Sequence, residues 1–127
     1  MQPTIVPYIS YQNCAAAIDF LANAFGFQVN VRFDAHDGSE SHAELMYGIG
    51  SVLVGPPLDV QSRARIFVAV SDLDAHYRHA MAHGAIGVYP PEETDFGSRR
   101  YCVKDPEGHE WTFCTESQVS QPNAWPS

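Results

Sequence analysis

His42 and Glu44 stand two residues apart in one short apolar run, and Glu110 and Thr112 two apart in another. Side chains of a strand alternate between its faces, so each pair projects from one face. An imidazole and carboxylates so placed can bind a divalent ion, move protons, or hydrogen-bond within a wet pocket. A catalytic metal needs converging ligands and an open coordination position, and spacing alone supplies neither, so pocket lining is the reading adopted. His76, His79 and His83 follow one helix face at i, i+3 and i+7. Without a fourth ligand and a supporting shell they read as a solvated flank. Nucleophilic catalysis finds no G-x-S-x-G elbow, and Gly48-Ile49-Gly50 joins two strands where a phosphate loop would open a helix. Cys14, Cys102 and Cys114 are odd in number and lack C-x-x-C spacing, which fits small buried residues and no disulfide framework or zinc knuckle.

The elements that must position these groups repeat. Ile5–Ser10 reads as a strand, and Asn13 caps a helix whose stripe is Cys14, Ala17, Ile18, Leu21 and Phe25, stopped by Gly26. Strands follow at 27–33, 41–47 and 51–54, with turn chemistry at His36–Ser39. Gly55-Pro56-Pro57 closes the half. The order then restarts with a strand at 65–70 and a capping box, Ser71 to Asp74. A second helix stripe comprises Leu73, Tyr77, Ala80 and Met81, and Gly84 ends it. Strands at 86–89, 99–104 and 110–115 complete the half, the last two joined by a four-residue type I turn, Asp105–Gly108. Gly26 and Gly84 lie 58 residues apart, as do Gly50 and Gly108. This is an internal repeat of strand–helix–strand–strand–strand, with halves at about 4–55 and 64–115 and a polar tail at 116–127.

Length and composition fit this frame. A chain of 127 residues, 45% hydrophobic and 17% charged, suits one globular domain. A formal charge of −8, with Arg99-Arg100 the only basic doublet, argues against nucleic acid as a partner. No apolar run reaches membrane-spanning length, and the N-terminus has no signal-peptide pattern, so a cytoplasmic location is expected.

Read in order, several motifs resemble the vicinal oxygen chelate superfamily, which includes glyoxalase I, extradiol dioxygenases and bleomycin-resistance proteins. They are Ala15–Leu21 leading to Phe25-Gly26-Phe27, His42–Leu45, Val70–Ala75, His83-Gly84-Ala85, Phe96–Arg99 and Lys104–Trp111. The resemblance spans residues 5 to 115 and implies an α+β fold of two tandem βαβββ modules, their curved mixed sheet around a cleft and helices outside. It also implies metal ligands on the first and last strand of each module, at positions occupied here by Val6, Val54, Arg65 and Thr112. Valine offers no ligand and a guanidinium repels a cation, so neither metal nor other cofactor is expected. A displaced metal site would have to use His42, Glu44 and Glu110, with alternation placing the first two on the face of Val54.

The turn at 105–108 sets an expected register in which Val103 faces Glu110, Tyr101 faces Thr112 and Arg99 faces Cys114. Trp111 and Phe113 then join Cys102 against the helices. The ligand-facing set becomes Tyr8, His42, Glu44, Arg65, Phe67, Phe96, Arg99, Tyr101, Glu110 and Thr112. Aromatic walls with a few polar groups suit a planar or cationic organic molecule. The expected function is therefore metal-free binding or sequestration of a small molecule, resembling the bleomycin-resistance branch and its role in antibiotic resistance, with no catalytic residue assigned. The alternative is a metal-dependent lyase, isomerase or dioxygenase. A homodimer is expected from the resemblance.

Overall fold

The computed structural model describes residues 5–35, 41–57, 63–95 and 97–115. The turn expected at His36–Ser39, Phe96 and the tail from residue 116 lie outside them. The chain divides into two compact units, Met1–Arg63 and Ala64–Ser127. Each carries one helix and one mixed four-stranded sheet among its described residues, the α+β arrangement expected.

In the first unit the order is β1 (Tyr8–Ser10), α1 (Cys14–Phe25), β2 (Gln28–Asp34), β3 (Ser41–Tyr47) and β4 (Gly50–Gly55), paired as β1-β4-β3-β2. β1 is shorter than expected because Pro7 has no N–H to donate, although its carbonyl still accepts from Leu53 at 2.8 Å. Asn13 caps α1, its Oδ1 accepting from Ala16 N at 3.1 Å. Gly26 ends the helix at φ 85°, a left-handed conformation that a Cβ would oppose. All five residues of the expected stripe are buried, packed on a sheet face of Ile9, Ala43, Leu45, Val52 and Val54.

The second unit contains β5 (Arg65–Ala69), α2 (Leu73–Ala82), β6 (Ile86–Glu93), β7 (Arg99–Lys104) and β8 (Glu110–Cys114), paired as β5-β8-β7-β6. Its helix cap is Asp72 and not Ser71: the Asp72 carboxylate accepts from Ala75 N at 3.2 Å. Asp74 therefore lies in the first turn, where the helix dipole favours an acid, and receives Arg99 Nη2 at 2.8 Å. β6 runs four residues past its expected end, through Pro90 and Pro91. It is an edge strand, where a missing N–H removes no ladder bond, and its register shifts between Gly87 and Tyr89 and between Tyr89 and Glu92. His76 is not part of a solvated flank. Its Nδ1 is 2.6 Å from the Tyr101 hydroxyl and its ring lies 4.4 Å from Phe113. Only His79 and His83 remain on the exposed side, stacked at 4.1 Å.

The β7–β8 register also differs from the expectation by one residue. Lys104 pairs with Glu110, Val103 with Trp111, Cys102 with Thr112 and Tyr101 with Phe113. The cause is Asp105. Its backbone N donates to His109 O, extending the connection by one residue beyond a four-residue turn. Its fully buried carboxylate accepts from Glu107 N and His109 N, each at 3.1 Å, and from Trp111 Nε1 at 3.0 Å. Tyr101 and Val103 thereby share the helix-covered face with Trp111 and Phe113, and all four are completely buried.

Removing that carboxylate would strand three donors, two of them on the backbone. Leaving buried donors unsatisfied costs about 1–3 kcal/mol each, partly relieved by relaxation. Asp105→Ala is expected to lower unfolding stability by about 3 kcal/mol. Urea denaturation followed by Trp fluorescence measures this, and a change below about 1 kcal/mol would contradict the assignment.

Candidate functional site

The sheet face of the first unit opposite α1 is built from β1, β2, β3 and β4. In the parallel β1–β4 ladder Tyr8 pairs with Leu53, and in the β3–β4 ladder Glu44 pairs with Leu53. Tyr8, Leu53 and Glu44 therefore stand on one face, while Val54 turns toward α1. His42 and Glu44 thus share their face with Leu53, correcting the expectation that Val54 would accompany them.

The fourth strand joins this face through an irregularity. Val29 pairs with Leu45, yet Val31 pairs with Glu44, so Asn30 is an extra residue in β2. Before this bulge the odd-numbered residues follow the helix-covered face. After it, Val31 and Phe33 lie beside Glu44 and His42, and Arg32 turns toward α1. Arg32 Nη1 there meets Asp19 at 2.8 Å, and this ion pair and hydrogen bond raise the guanidinium's pKa.

Tyr8, Val31, Phe33, His42, Glu44 and Leu53 line a cavity of about 310 Å3. Its walls are mainly apolar, and Phe33 is 66% exposed and Leu53 37%. Gly55 forms part of its support. A Cβ there would collide with the Tyr8 hydroxyl and come within 2.9 Å of His42 Cδ2. Glycine lets both rings lie against the backbone, and Tyr8 completes the arrangement by donating to Pro56 O at 2.7 Å. Glu44 is anchored at one oxygen: Asn30 Nδ2 donates to its Oε1 at 2.6 Å.

The corresponding face of the second unit has different chemistry. Arg65 pairs with Glu110 and Phe67 with Thr112 along β5–β8. Arg65 Nε lies 3.5 Å from Glu110 Oε2, and Cys102 Sγ donates to Glu110 Oε1 at 3.7 Å. Burial, the largest influence, raises the Cys102 thiol pKa and keeps it protonated. Burial likewise raises the Tyr89 phenol, whose ring carries Arg100 at 5.7 Å. Arg100 also approaches Glu92 at 3.5 Å. Charged and polar groups thus adjoin one another across this face, with Glu110 contacted at both oxygens and the buried Arg100 Nε left without a hydrogen-bond partner among the described residues.

Arg65, Phe67, Glu110 and Thr112 are thus together on one open face, and Tyr8, His42 and Glu44 together on another. Arg99 and Tyr101 are on neither. The one-residue change of register turns Tyr101 into the core against His76 and Tyr77, and Arg99 toward Asp74 and Glu93, at 2.8 and 3.0 Å. Arg100 and Cys102 occupy the open face in their place.

Sequence reasoning missed Val31, Phe33, Leu53 and Asn30. No described non-glycine residue has a positive φ, so the bulge uses a backbone conformation open to any side chain. The string Val-Asn-Val-Arg-Phe consequently alternates cleanly and contains no mark of the extra residue. Leu53 was concealed by the adjacent valines.

The first and last strands of each unit offer a poor donor set for a divalent ion. On their open faces β1 and β4 present Tyr8 and Leu53, and β5 and β8 present Arg65, Phe67, Glu110 and Thr112. Tyr8 is engaged by a carbonyl, Leu53 and Phe67 have no donor atom, and Glu110 is already paired with a guanidinium. These residues do not fit the metal that the resemblance implies for the first and last strands. Within either unit, no three His, Cys, Asp or Glu side chains gather among the described residues.

Comparison with known proteins agrees with the architecture. Residues 5–113 match the family model of the Glyoxalase/Bleomycin resistance protein/Dioxygenase superfamily. The crystal structure of TioX from Micromonospora sp. ML1 superposes with a TM-score of 0.77 at 34% identity, covering 88% of this chain and 97% of that one. Glyoxalase I from Zea mays, as a V278E mutant, gives 0.67 at 15% identity over 88% of this chain and 43% of its own, a likeness of fold. An uncharacterized protein of Mycobacterium bovis is 27% identical, over 89% of this chain and 83% of that protein. With a family model covering most of its length, two βαβββ units and a relative above 30% identity, the chain belongs to the Glyoxalase/Bleomycin resistance protein/Dioxygenase superfamily.

Proposed function

We propose that this protein binds a small planar organic molecule, without a metal, on the open sheet face of its first unit. The observation carrying this reading is the cavity walled by Tyr8, Val31, Phe33 and Leu53, with Glu44 and His42 the polar groups at hand. Exposed apolar walls with a few polar groups are the composition of small-molecule sites. Flat aromatic ligands gain most there, because one face can be covered without demanding a deep enclosure. Sequestration requires affinity alone. On the second unit's open face Arg65, Glu110 and Cys102 already contact one another, so a ligand there would compete with existing partners. The family comparison supports small-molecule binding in coarse terms, and the sequestering role belongs to this proposal.

A thermal-shift screen of planar aromatic heterocycles against flexible aliphatic compounds of similar size tests the reading. The planar set is expected to raise the unfolding temperature in proportion to concentration, because a ligand that binds only the native state stabilises it by mass action. Stabilisation only by added Zn2+, Ni2+ or Mn2+ would instead favour metal chemistry. Phe33→Ala and Leu53→Ala should each weaken binding roughly tenfold to a hundredfold, as expected for losing about 1.5–3 kcal/mol of apolar contact. Their unfolding temperatures should change little, since both side chains are substantially exposed. Equal affinity in wild type and both variants, measured by calorimetry, would place the ligand elsewhere.

Gly55→Ala probes the support beneath the rings. Its methyl group must displace Tyr8 and break the bond to Pro56 O. Binding is expected to fall at least tenfold, while stability falls by about 1 kcal/mol, the lower end for overpacking where one side can yield to solvent. Unchanged binding would show that the Tyr8 position is immaterial.

A further inference from the structure

We infer that Asn30, the extra residue of the β2 bulge, is a positioning residue that gives the first-unit site its preference for ligands bearing positive charge. This rests on the proposed function and assigns it a class of ligand: a planar aromatic cation or protonated heterocyclic base. Three observations combine at one place. The bulge adds a single residue to β2, and that residue is the one whose amide reaches Glu44. The same insertion turns Val31 and Phe33 onto the face beside Glu44, so the apolar wall and the anchored carboxylate arise from one backbone event.

The third observation is the division of the carboxylate. A carboxylate only accepts, so the Asn30 contact fixes the amide orientation with Nδ2 toward Glu44 Oε1. Oε2 has no protein partner among the described residues, and it belongs to a side chain that lines the cavity. One oxygen held by a neutral amide and one left open is an acceptor of fixed direction. A neutral donor restrains the group without cancelling its charge, whereas an Arg or Lys partner would cancel it. Glu110 in the second unit shows that contrast, with Arg65 on one oxygen and the Cys102 thiol on the other. Among the described residues, no basic side chain lines the cavity of the first unit apart from the imidazole of His42. A formal charge of −8 adds a long-range field of the same sign.

N-methylquinolinium and naphthalene are matched probes, nearly equal in size and flatness and differing in charge. Calorimetric titration of wild-type protein at low salt is expected to show about tenfold tighter binding of the cation. Glu44→Gln should reduce that ratio to about one. Asn30→Ala should reduce the ratio threefold or more, with naphthalene within twofold, because the wall remains and only the carboxylate is released. A residue serving structure alone would lower both affinities together, and that result in Asn30→Ala would overturn the assignment. So would an unchanged ratio in either variant, or a wild type that binds naphthalene as well as the cation, although the last would leave the proposed function standing. A wild type that binds neither probe would remove that reading and this one with it.

Discussion

Side chains of a strand alternate with a period of two, so one residue of register decides whether a side chain meets the core or solvent. Every feature of the two open faces descends from that constraint. In the first unit the insertion at Asn30 carries Val31 and Phe33 outward and Arg32 toward Asp19. In the second, the buried Asp105 lengthens a turn by one residue and carries Tyr101 inward, bringing Cys102 and Arg100 outward. Neither change alters the order of strands or the helix that covers them. Both exchange the residues available for chemistry.

The two faces have consequently become unlike on similar frames. The first is apolar, with one carboxylate held by an amide. The second joins Arg65, Glu110 and Cys102 and sets Thr112, Tyr89 and Arg100 beside them, and burial keeps its thiol and phenol protonated. Groups so engaged would have to surrender existing partners to bind a ligand, and that cost is absent for Val31, Phe33 or Leu53. The asymmetry is the physical reason for placing the proposed binding on the first unit.

The frame was legible because it rests on local chemistry. Asn13 as a cap, Gly26 as a left-handed stop and the stripe through Ile18 and Leu21 announce a helix without reference to any partner. Tyr8, His42 and Glu44 were legible as companions because alternation within a regular strand is reliable. What stayed hidden depends on pairing across strands. Clean alternation in β2 conceals a bulge that needs no glycine, and Asp105-Pro106-Glu107-Gly108 satisfies the rules of a four-residue turn. Only the burial of Asp105, with Trp111 as a partner six residues on, shows that the connection closes later. Ser71 to Asp74 has the spacing of a capping box, yet the cap is Asp72, one residue on, because its carboxylate is the group that reaches Ala75 N.

Exposure makes the last connection between fold and proposed site. Ile18, Leu21, Leu45 and Val54 form a core beneath α1 that does not involve Phe33, which is 66% exposed. Apolar area left in water forgoes about 25 cal/mol per Å2 that burial would recover. A flat ligand laid against Phe33, Val31 and Leu53 recovers part of it at the moment of binding, when no core residue need move. The stability of the unit and the affinity of its face are thereby separable, because they draw on opposite sides of one sheet. A single inserted residue in an edge strand can then create an apolar wall without weakening the core, provided that the displaced Arg32 finds a partner. Asp19 on α1 supplies it.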